Sequence, residues 1–521
     1  MDACVVLLSA LGLCTSRHRY TKRYHERSLT REARGARAPR QHGTARALPA
    51  LSRALLLPPP HAAMSDVHAG AVAHRTSADP ATFASLPLPL AHRILLAFPL
   101  TLRGRACCVC RAWRDLLADP ALWTRLDMSG VRLADGRRLG AMLLRAAARS
   151  GNQLLELDMS MWLVEWKHLQ PVLTANAGSL RELHLRTVND GSLYYGTCFS
   201  TEKLEAIVAA APMLQVLAAD VVSCDGEYAP RLLRGEPPFA PLQMRGTFNV
   251  RFFDDEEEAV ENFRPFATAL ADAAKQPALS DLCIVSADTA QPALMGALAD
   301  AVLARQLREL TLQECTPPAA EPLARLLAES SLTVFKLHPQ ALHQALFQVD
   351  TPQFDAAGAV LVADALRANT TLTELDLRGT GFDVRVSCAL LDGLVGHRSL
   401  RELVLTGEHL VAADGGALGA ALGALIAADA PTLQFLRYSG SEDVLGDAGM
   451  APIVAALPLN RHLRELGLCC SGIGDAFARE QLLPAVRANT SLRALRCVDY
   501  DRMPQAAAEV EELVRRRRQH D

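Results

Sequence analysis

Cysteine and histidine are the residues whose spacing points most directly to chemistry. The 521-residue chain holds 13 cysteines and 15 histidines, and Cys107-x-x-Cys110 has the spacing of half a zinc site or of a redox pair. No second C-x-x-C or C-x-x-H is present to complete four ligands. We therefore predict no metal site and no cofactor. The scattered cysteines favour buried free thiols in a reducing compartment.

The usual signatures of catalytic sites are missing from the sequence. It contains no G-x-x-x-x-G-K-[ST] phosphate loop, no H-E-x-x-H and no G-x-S-x-G. No nucleophile, base and orienting group recur together, so we predict that the chain is not an enzyme. An enzyme with a concealed site stays an alternative, which a deep pocket of His, Cys and Asp side chains would support.

The charge is distributed unevenly along the chain. Residues 1–63 hold 11 Lys and Arg against 3 Asp and Glu, whereas the remainder holds 43 against 54. An acidic body repels a phosphate backbone, so we expect no nucleic-acid binding by the main domain. No uninterrupted apolar run reaches about 18 residues, which predicts no membrane span. The Arg-rich, Pro-punctuated residues 1–80 are predicted to be a disordered basic segment, with organelle targeting or a start at Met64 as alternatives.

The pattern L-x-x-L-x-L recurs at intervals near 28 residues, which leaves room for one strand, one helix and two turns. An interval of 65 residues after Leu214 is predicted to hide a degenerate copy that uses Phe248 and Val250. One strand and one helix cannot cover their own apolar faces, so neighbouring copies must stack. The predicted class is α/β: a solenoid over residues 150–500, with parallel strands inside and helices outside. Clear copies start at Leu154, Leu180, Leu307, Leu372, Leu400 and Leu463, and weaker ones at Leu214, Leu279, Leu332, Leu433 and Leu492.

This repeat resembles the leucine-rich-repeat family, in the long form found in ribonuclease inhibitors. The Asn that usually follows the strand is absent, which predicts an irregular curvature. Asn369 and Asn489 match a glycosylation sequon, but in a reducing compartment they are predicted to end helices. Residues 501–521 are predicted to form a C-terminal helix with a basic tail, RRRR. The predicted location is the cytoplasm, with the nucleus as a further possibility.

Residues 82–127 have a different organisation. Leu90, Ile94 and Phe98 are spaced four apart, and Leu102, Ala106, Val109, Trp113 and Leu116 form a second helical stripe. Two or three short helices with this many apolar residues imply a partner surface. An N-terminal cap that only seals the repeat is the alternative.

This segment resembles the F-box, a small all-α domain. The resemblance rests on Leu86-Pro87, Ile94-Leu95, Phe98-Pro99, V-C-R-x-W-R from Val109 and D-P-x-L-W from Asp119. It implies docking on a Skp-family adaptor and, through it, on a cullin ubiquitin ligase. The implied adaptor-binding residues are Leu86, Pro87, Leu90, Ile94, Leu95, Phe98, Leu102, Val109, Cys110, Trp113, Leu116 and Trp123.

In each repeat the third, fifth and seventh positions should face away from the core. The third position is usually Glu, which we expect to stay solvated, whereas the fifth position varies and so could select a protein target. Phe435 and Arg437, next to Tyr438, are the predicted anchors. The predicted target-binding residues on the concave face are Asp158, His184, Lys336, Asp376, Phe435, Arg437 and Arg496.

Together these features predict a non-catalytic substrate-recognition subunit of a Skp/cullin/F-box (SCF) type E3 ubiquitin ligase. The chain is expected to be monomeric within a hetero-complex, with the F-box on the adaptor and the repeat on an unknown protein target. The alternative is a leucine-rich-repeat scaffold or stoichiometric protein inhibitor that acts without Leu90, Ile94 or Trp113.

Overall fold

The structure is a computed structural model that describes residues 87–98, 100–128, 137–189, 201–239, 242–252, 256–272, 279–339, 355–380, 382–407, 410, 412–440, 444–469, 472–496 and 505–520. The chain divides into two units, Met1–Ala78 and Asp79–Asp521, and all described residues belong to the second. The prediction of a disordered segment over residues 1–80 and the adaptor-binding role of Leu86 therefore lie outside the described residues.

Three short helices open the described chain, and a 3-10 turn follows them. Proline in the first turn of α1 suits a helix start, because the missing N–H would have no partner there. Asp119 caps the 3-10 turn by accepting a hydrogen bond from Ala121 N at 2.9 Å. The elements are α1 Leu88–Leu96, α2 Leu100–Ala106, α3 Arg111–Leu116 and the turn Pro120–Trp123.

A thirteen-stranded parallel sheet runs through the rest of the described residues, and each strand pairs with the next one along the chain. The apolar residues of L-x-x-L-x-L point to one face of the sheet, so that Leu372, Leu375 and Leu377 are all buried. The strands are β1 Arg125–Asp127, β2 Glu156–Glu165, β3 Glu182–Asn189, β4 Val216–Asp225, β5 Gln243–Arg251, β6 Asp281–Val285, β7 Glu309–Gln313, β8 Val334–His338, β9 Glu374–Leu377, β10 Glu402–Gly407, β11 Phe435–Gly440, β12 Glu465–Cys469 and β13 Ala494–Arg496.

Helices connect the strands and cover the leucine face, which confirms the predicted α/β repeat class. None of the described helices is long and apolar enough to span a bilayer. They are α4 Arg137–Arg149, α5 Trp166–Ala175, α6 Thr201–Ala210, α7 Ala229–Arg234, α8 Glu256–Ala271, α9 Pro292–Arg305, α10 Ala320–Glu329, α11 Ala356–Ala368, α12 Val384–Leu394, α13 Gly415–Ala427, α14 Gly446–Ala456, α15 Leu483–Ala488, which follows a π turn at Ala478–Leu482, and α16 Gln505–His520.

The predicted degenerate copy is strand β5, in which Phe248 and Val250 are buried. The register against β4 shifts between Ala218 and Val221, and Gly246 lies at the shift with φ of +113°. A Cβ at Gly246 would overlap the carbonyl oxygen of Ala219, so this position needs glycine. At the shift β4 advances three residues while β5 advances two, so β4 carries one residue more than β5 at this bulge.

The sheet starts earlier than residue 150. Strand β1 pairs in parallel with β2, and Leu126 and Met128 are buried in the same core as the repeat leucines. That core runs continuously from Leu95 in α1 to Val514 in α16. The segment before the repeat therefore also caps the sheet, as the alternative reading of the sequence proposed.

Buried asparagines join each of several helices to the strand that follows. Asn369 Oδ1 accepts hydrogen bonds from Thr371 N and Leu372 N at 2.9 and 2.8 Å, and its Nδ2 donates to Leu327 O at 2.6 Å. Asn460 and Asn489 make the equivalent bonds three residues before their own strand leucines. Asn369 and Asn489 are 4% and 1% exposed, so neither amide is available to a glycan.

Candidate functional site

The first helices and the turn after α2 leave four large apolar side chains open to solvent, Leu88, Leu90, Leu96 and Val109, and we call these four residues the helical patch. These side chains are exposed by 55, 46, 45 and 62% respectively. A large apolar side chain gains about 1.5–3 kcal/mol when fully buried, so four exposed apolar side chains within residues 88–109 favour a partner. The sequence stripe had indicated Leu90 and Val109 but not Leu88 and Leu96, which lie off the four-residue spacing.

The other residues implied by the F-box resemblance divide into two groups. Leu95 and Trp123 are 0% and 1% exposed, so in this structure neither of these predicted adaptor-binding residues presents surface to an adaptor. They hold the helices together instead, because a side chain without accessible surface offers nothing to a partner. Residues that remain exposed are Pro87 and Cys110, and those that are half-buried are Ile94, Phe98, Leu102, Trp113 and Leu116.

Arg103 fixes the arrangement of these helices. Its guanidinium donates to Leu96 O at 2.9 Å, to Phe98 O at 2.9 Å and to Leu122 O at 2.7 Å. The side chain is 8% exposed, and this burial lowers the pKa of Arg103. The sequence analysis did not identify Arg103 as a structural residue. The only signal for it in the sequence is an arginine within an apolar helical segment.

Trp123 connects the helices to the repeat. Its indole Nε1 donates to Leu117 O at 2.8 Å, and the Arg149 guanidinium from α4 lies 4.7 Å from the ring centroid. A cation at that distance from a tryptophan face is attracted by the ring quadrupole. Trp123 therefore connects the helices that carry the helical patch to the core of the repeat.

The other candidate surface is the face of the sheet turned away from the leucine core. Lys336, at the fifth repeat position of β8, places Nζ 3.3 Å from Glu309 and 3.2 Å from Glu374 on the two flanking strands. Burial lowers the pKa of Lys336, but the two carboxylates outweigh burial and leave it above its ordinary value. The third-position glutamates are thus partly paired and not simply solvated.

Arg437 makes the same arrangement on β11. Its Nη1 donates to Glu402 at 3.2 Å and its Nε donates to Glu465 at 3.0 Å. Both β8 and β11 lack Glu at the third position, where Val334 and Phe435 stand. A cation at the fifth position therefore compensates the acids on both sides of these two strands.

Asp376 differs from its predicted role. It is 3% exposed, and Arg378 donates to both of its carboxylate oxygens from Nε and Nη2. His338 Nε2 lies 3.2 Å away. Burial raises the pKa of Asp376, but the hydrogen bonds from His338 and Arg378 outweigh burial and lower it. Asp376 is therefore a structural anchor for these two side chains, and in this structure it presents little surface to a target.

Other predicted target-binding residues keep some exposure. Asp158 and His184 are half-buried, and Arg496 is exposed. Phe435 is half-buried beside the Arg401 guanidinium, which lies 5.6 Å from its ring centroid. The neighbouring Tyr438 is 3% exposed and belongs to the core, because it occupies an inward-facing repeat position.

Glu156, Glu182 and His184 bring one ligand atom each to within 4.8 Å of one another. A divalent cation accepts such ligands, although Arg125 already lies 3.6 Å from Glu156. In the described part of the chain, the thiols of Cys107 and Cys110 are free and join no such cluster. The Cys107 thiol instead donates to Arg103 O at 3.4 Å.

Comparisons with known proteins support both parts of the chain. The F-box-like family model matches residues 83–129. The "Putative F-box/LRR-repeat protein 22" of Arabidopsis thaliana is 27% identical over 193 residues, a match that covers 36% of this chain and 59% of that protein. The crystal structure of the Rad7 and Elc1 complex in yeast is similar with a TM-score of 0.31 and 14% identity, covering 78% of this chain and 92% of that one.

The residues that the family model matches, 83–129, include helices α1 to α3 and the helical patch. The chain spans 59% of the length of that relative. The chain therefore carries an F-box-like segment at residues 83–129, followed by a parallel-stranded repeat of the leucine-rich type.

Proposed function

We propose that this chain is the substrate-recognition subunit of an SCF-type E3 ubiquitin ligase. The observation that carries the proposal is the helical patch, whose apolar side chains are exposed while the inner side chains of the same helices are buried. The family match over residues 83–129 supports it. A Skp-family adaptor would cover the patch, and a cullin would join through that adaptor.

The repeat would bind the protein to be ubiquitinated. The F-box and the repeat share one continuous buried core, so a target on the sheet would be held at a defined distance from the adaptor. Such proximity raises the effective concentration of a target lysine near the conjugating enzyme. In this proposal the bond-making residues belong to other subunits, no metal or cofactor takes part, and the complex works in the cytoplasm or nucleus.

Co-purification of the full chain with a Skp-family adaptor tests the proposal. Leu90→Asp and Val109→Asp place a charge in the helical patch at exposed positions, so neither should disturb folding. Leu459→Asp is the matched control, because Leu459 is also 62% exposed but lies between α14 and β12.

We expect the wild type and Leu459→Asp to retain the adaptor and the two patch variants to lose at least ten times in affinity. Retention by the patch variants, or no binding by the wild type, would reject the adaptor role. The alternative hypothesis, a leucine-rich-repeat scaffold or stoichiometric protein inhibitor, would then be favoured, because its function does not depend on the helical patch.

A further inference from the structure

A cavity of about 160 Å³ opens near the C-terminal end of the sheet. Arg437 and Arg496 occupy equivalent fifth positions of β11 and β13, and Gly467 occupies that position on β12 between them. Arg378 and the hydroxyl groups of Thr406 and Ser439 complete the polar part of the wall. The cavity therefore lies between arginines on β11 and β13, the two strands that flank β12.

Gly467 creates the space. A Cβ at this residue would lie 3.4 Å from Arg437 Cγ, so a larger side chain would occupy the gap between the two arginines. The volume is similar to that of an engineered cavity of about 150 Å³ that holds a benzene molecule. A side chain that ends in a carboxylate or a phosphate is of suitable size.

Some arginine N–H donors in the cavity wall have no hydrogen-bond partner among the described residues. Nε and Nη1 of Arg437 bond to glutamates, and among the described residues nothing bonds to its Nη2. Arg378 uses Nε and Nη2 for Asp376. Arg496 is exposed and forms no ion pair with any residue that the structure describes.

One carboxylate, Glu465, also lines the cavity, and Arg437 holds it at 3.0 Å. That ion pair fixes the orientation of the Arg437 guanidinium and reduces the entropy lost when a ligand binds. Arg496 then supplies a positive charge that pairs with no carboxylate of the described residues. Arginine donors of fixed geometry match the oxygens of carboxylates and phosphates.

We propose that this cavity binds an oxyanion carried by a side chain of an extended peptide, with Arg496 and Nη2 of Arg437 as the donors. The peptide would belong to the recruited protein, so the biological role rests on the proposed function. The anion binding itself does not depend on the adaptor. A phosphorylated serine or an acidic residue could supply the oxyanion.

The test uses the purified full chain and three fluorescently labelled peptide pools with identical random flanks. Their fixed central residue is phosphoserine, glutamate or serine. We expect at least one anionic pool to bind ten times more tightly than the serine pool, and the stronger of the two identifies the source of the oxyanion. Arg496→Gln should weaken that binding about tenfold or more, the effect of losing one charged hydrogen bond.

Gly467→Leu should weaken binding of the anionic pool by a similar factor, because the leucine side chain fills the cavity without changing its charge. Arg398→Gln is the matched control, since Arg398 is exposed and lies before β10, away from the cavity. Equal binding of all three pools, or unchanged binding by Arg496→Gln, would overturn the proposal. If Gly467→Leu lowers the melting temperature, Arg496→Gln alone decides.

Adaptor co-purification with the same variants separates the two proposals. The Arg496→Gln variant should still co-purify with the adaptor, although its binding of the anionic peptide pool is weakened. A wild type that binds the anionic pool but no adaptor would reject the ligase role and leave the cavity assignment in place.

Discussion

Lys336 and Arg437 occupy the same repeat position on β8 and β11, and each joins glutamates from both neighbouring strands. The four contacts range from 3.0 to 3.3 Å. Each cation lies on the strand between its two glutamates, β8 between β7 and β9 and β11 between β10 and β12, and its positive charge offsets both carboxylates. Lys336 and Arg437 therefore neutralise part of the charge of the four third-position glutamates Glu309, Glu374, Glu402 and Glu465.

Lys336→Met should destabilise the repeat, because it leaves Glu309 and Glu374 half-buried without their cation. Lys336 is 26% exposed, which places the expected loss at about 1–2 kcal/mol, between surface and buried ion pairs. Arg437→Met should cost less, since Arg437 is 47% exposed. Urea unfolding followed by hydrogen exchange in β8 measures both, and an equal effect of the two variants would contradict the role of burial.

Arg103→Met should loosen the F-box helices. It removes three hydrogen bonds and leaves the carbonyls of Leu96, Phe98 and Leu122 without this partner, at a cost of about 3 kcal/mol or more. Hydrogen-exchange mass spectrometry over residues 88–123 is the measurement. Arg105→Met is the control, because Arg105 is exposed on the same helix; equal protection in the two variants would show that Arg103 is dispensable.

Asn369→Ala should destabilise the junction between α11 and β9. The change removes the acceptor for Leu372 N and the donor to Leu327 O in a buried site, so about 2–3 kcal/mol should be lost. Thr370→Ala is the neighbouring control, since Thr370 is exposed. Thermal unfolding of both variants checks the prediction, and similar melting temperatures would contradict it.

His397 should make stability depend on pH. It occupies the position that asparagine holds in other repeats, and its Nδ1 accepts hydrogen bonds from Ser399 N and Leu400 N at 3.3 and 3.1 Å. Burial lowers the pKa of His397 below its usual 6.5. The unfolded chain therefore takes up this proton at a higher pH than the folded chain.

The contribution of His397 is complete above the unfolded pKa and decreases as pH falls through about 6.5 toward the folded pKa. His397→Asn keeps an acceptor at this site but has no ionisable group. Its free energy of unfolding should consequently change less than that of the wild type between about pH 7 and pH 5. The free energies of unfolding of both proteins can be measured with urea across this pH range. If they changed in parallel with pH, a group other than His397 would be responsible for the pH dependence.

The sequence by itself determined the repeat class and the F-box, because both depend on periodicity within one strand or helix. The leucines of each L-x-x-L-x-L are buried, and Phe248 and Val250 mark the hidden copy. Local spacing also located α1, but the predicted stripe from Leu102 to Leu116 spans two helices, α2 and α3, which are separated by residues 107–110. It could not show which apolar residues of these helices stay exposed, since that depends on what the rest of the chain covers.

The tertiary structure decided the partners of the polar residues. Lys336 and Glu374 are far apart in the sequence and meet only because β8 and β9 pair in a particular register. The same stacking buries Asp376 and places Gly467 between two arginines. A single repeat carries no information about its neighbour's side chains, so the sequence indicated the variable positions but not which of them are free to bind.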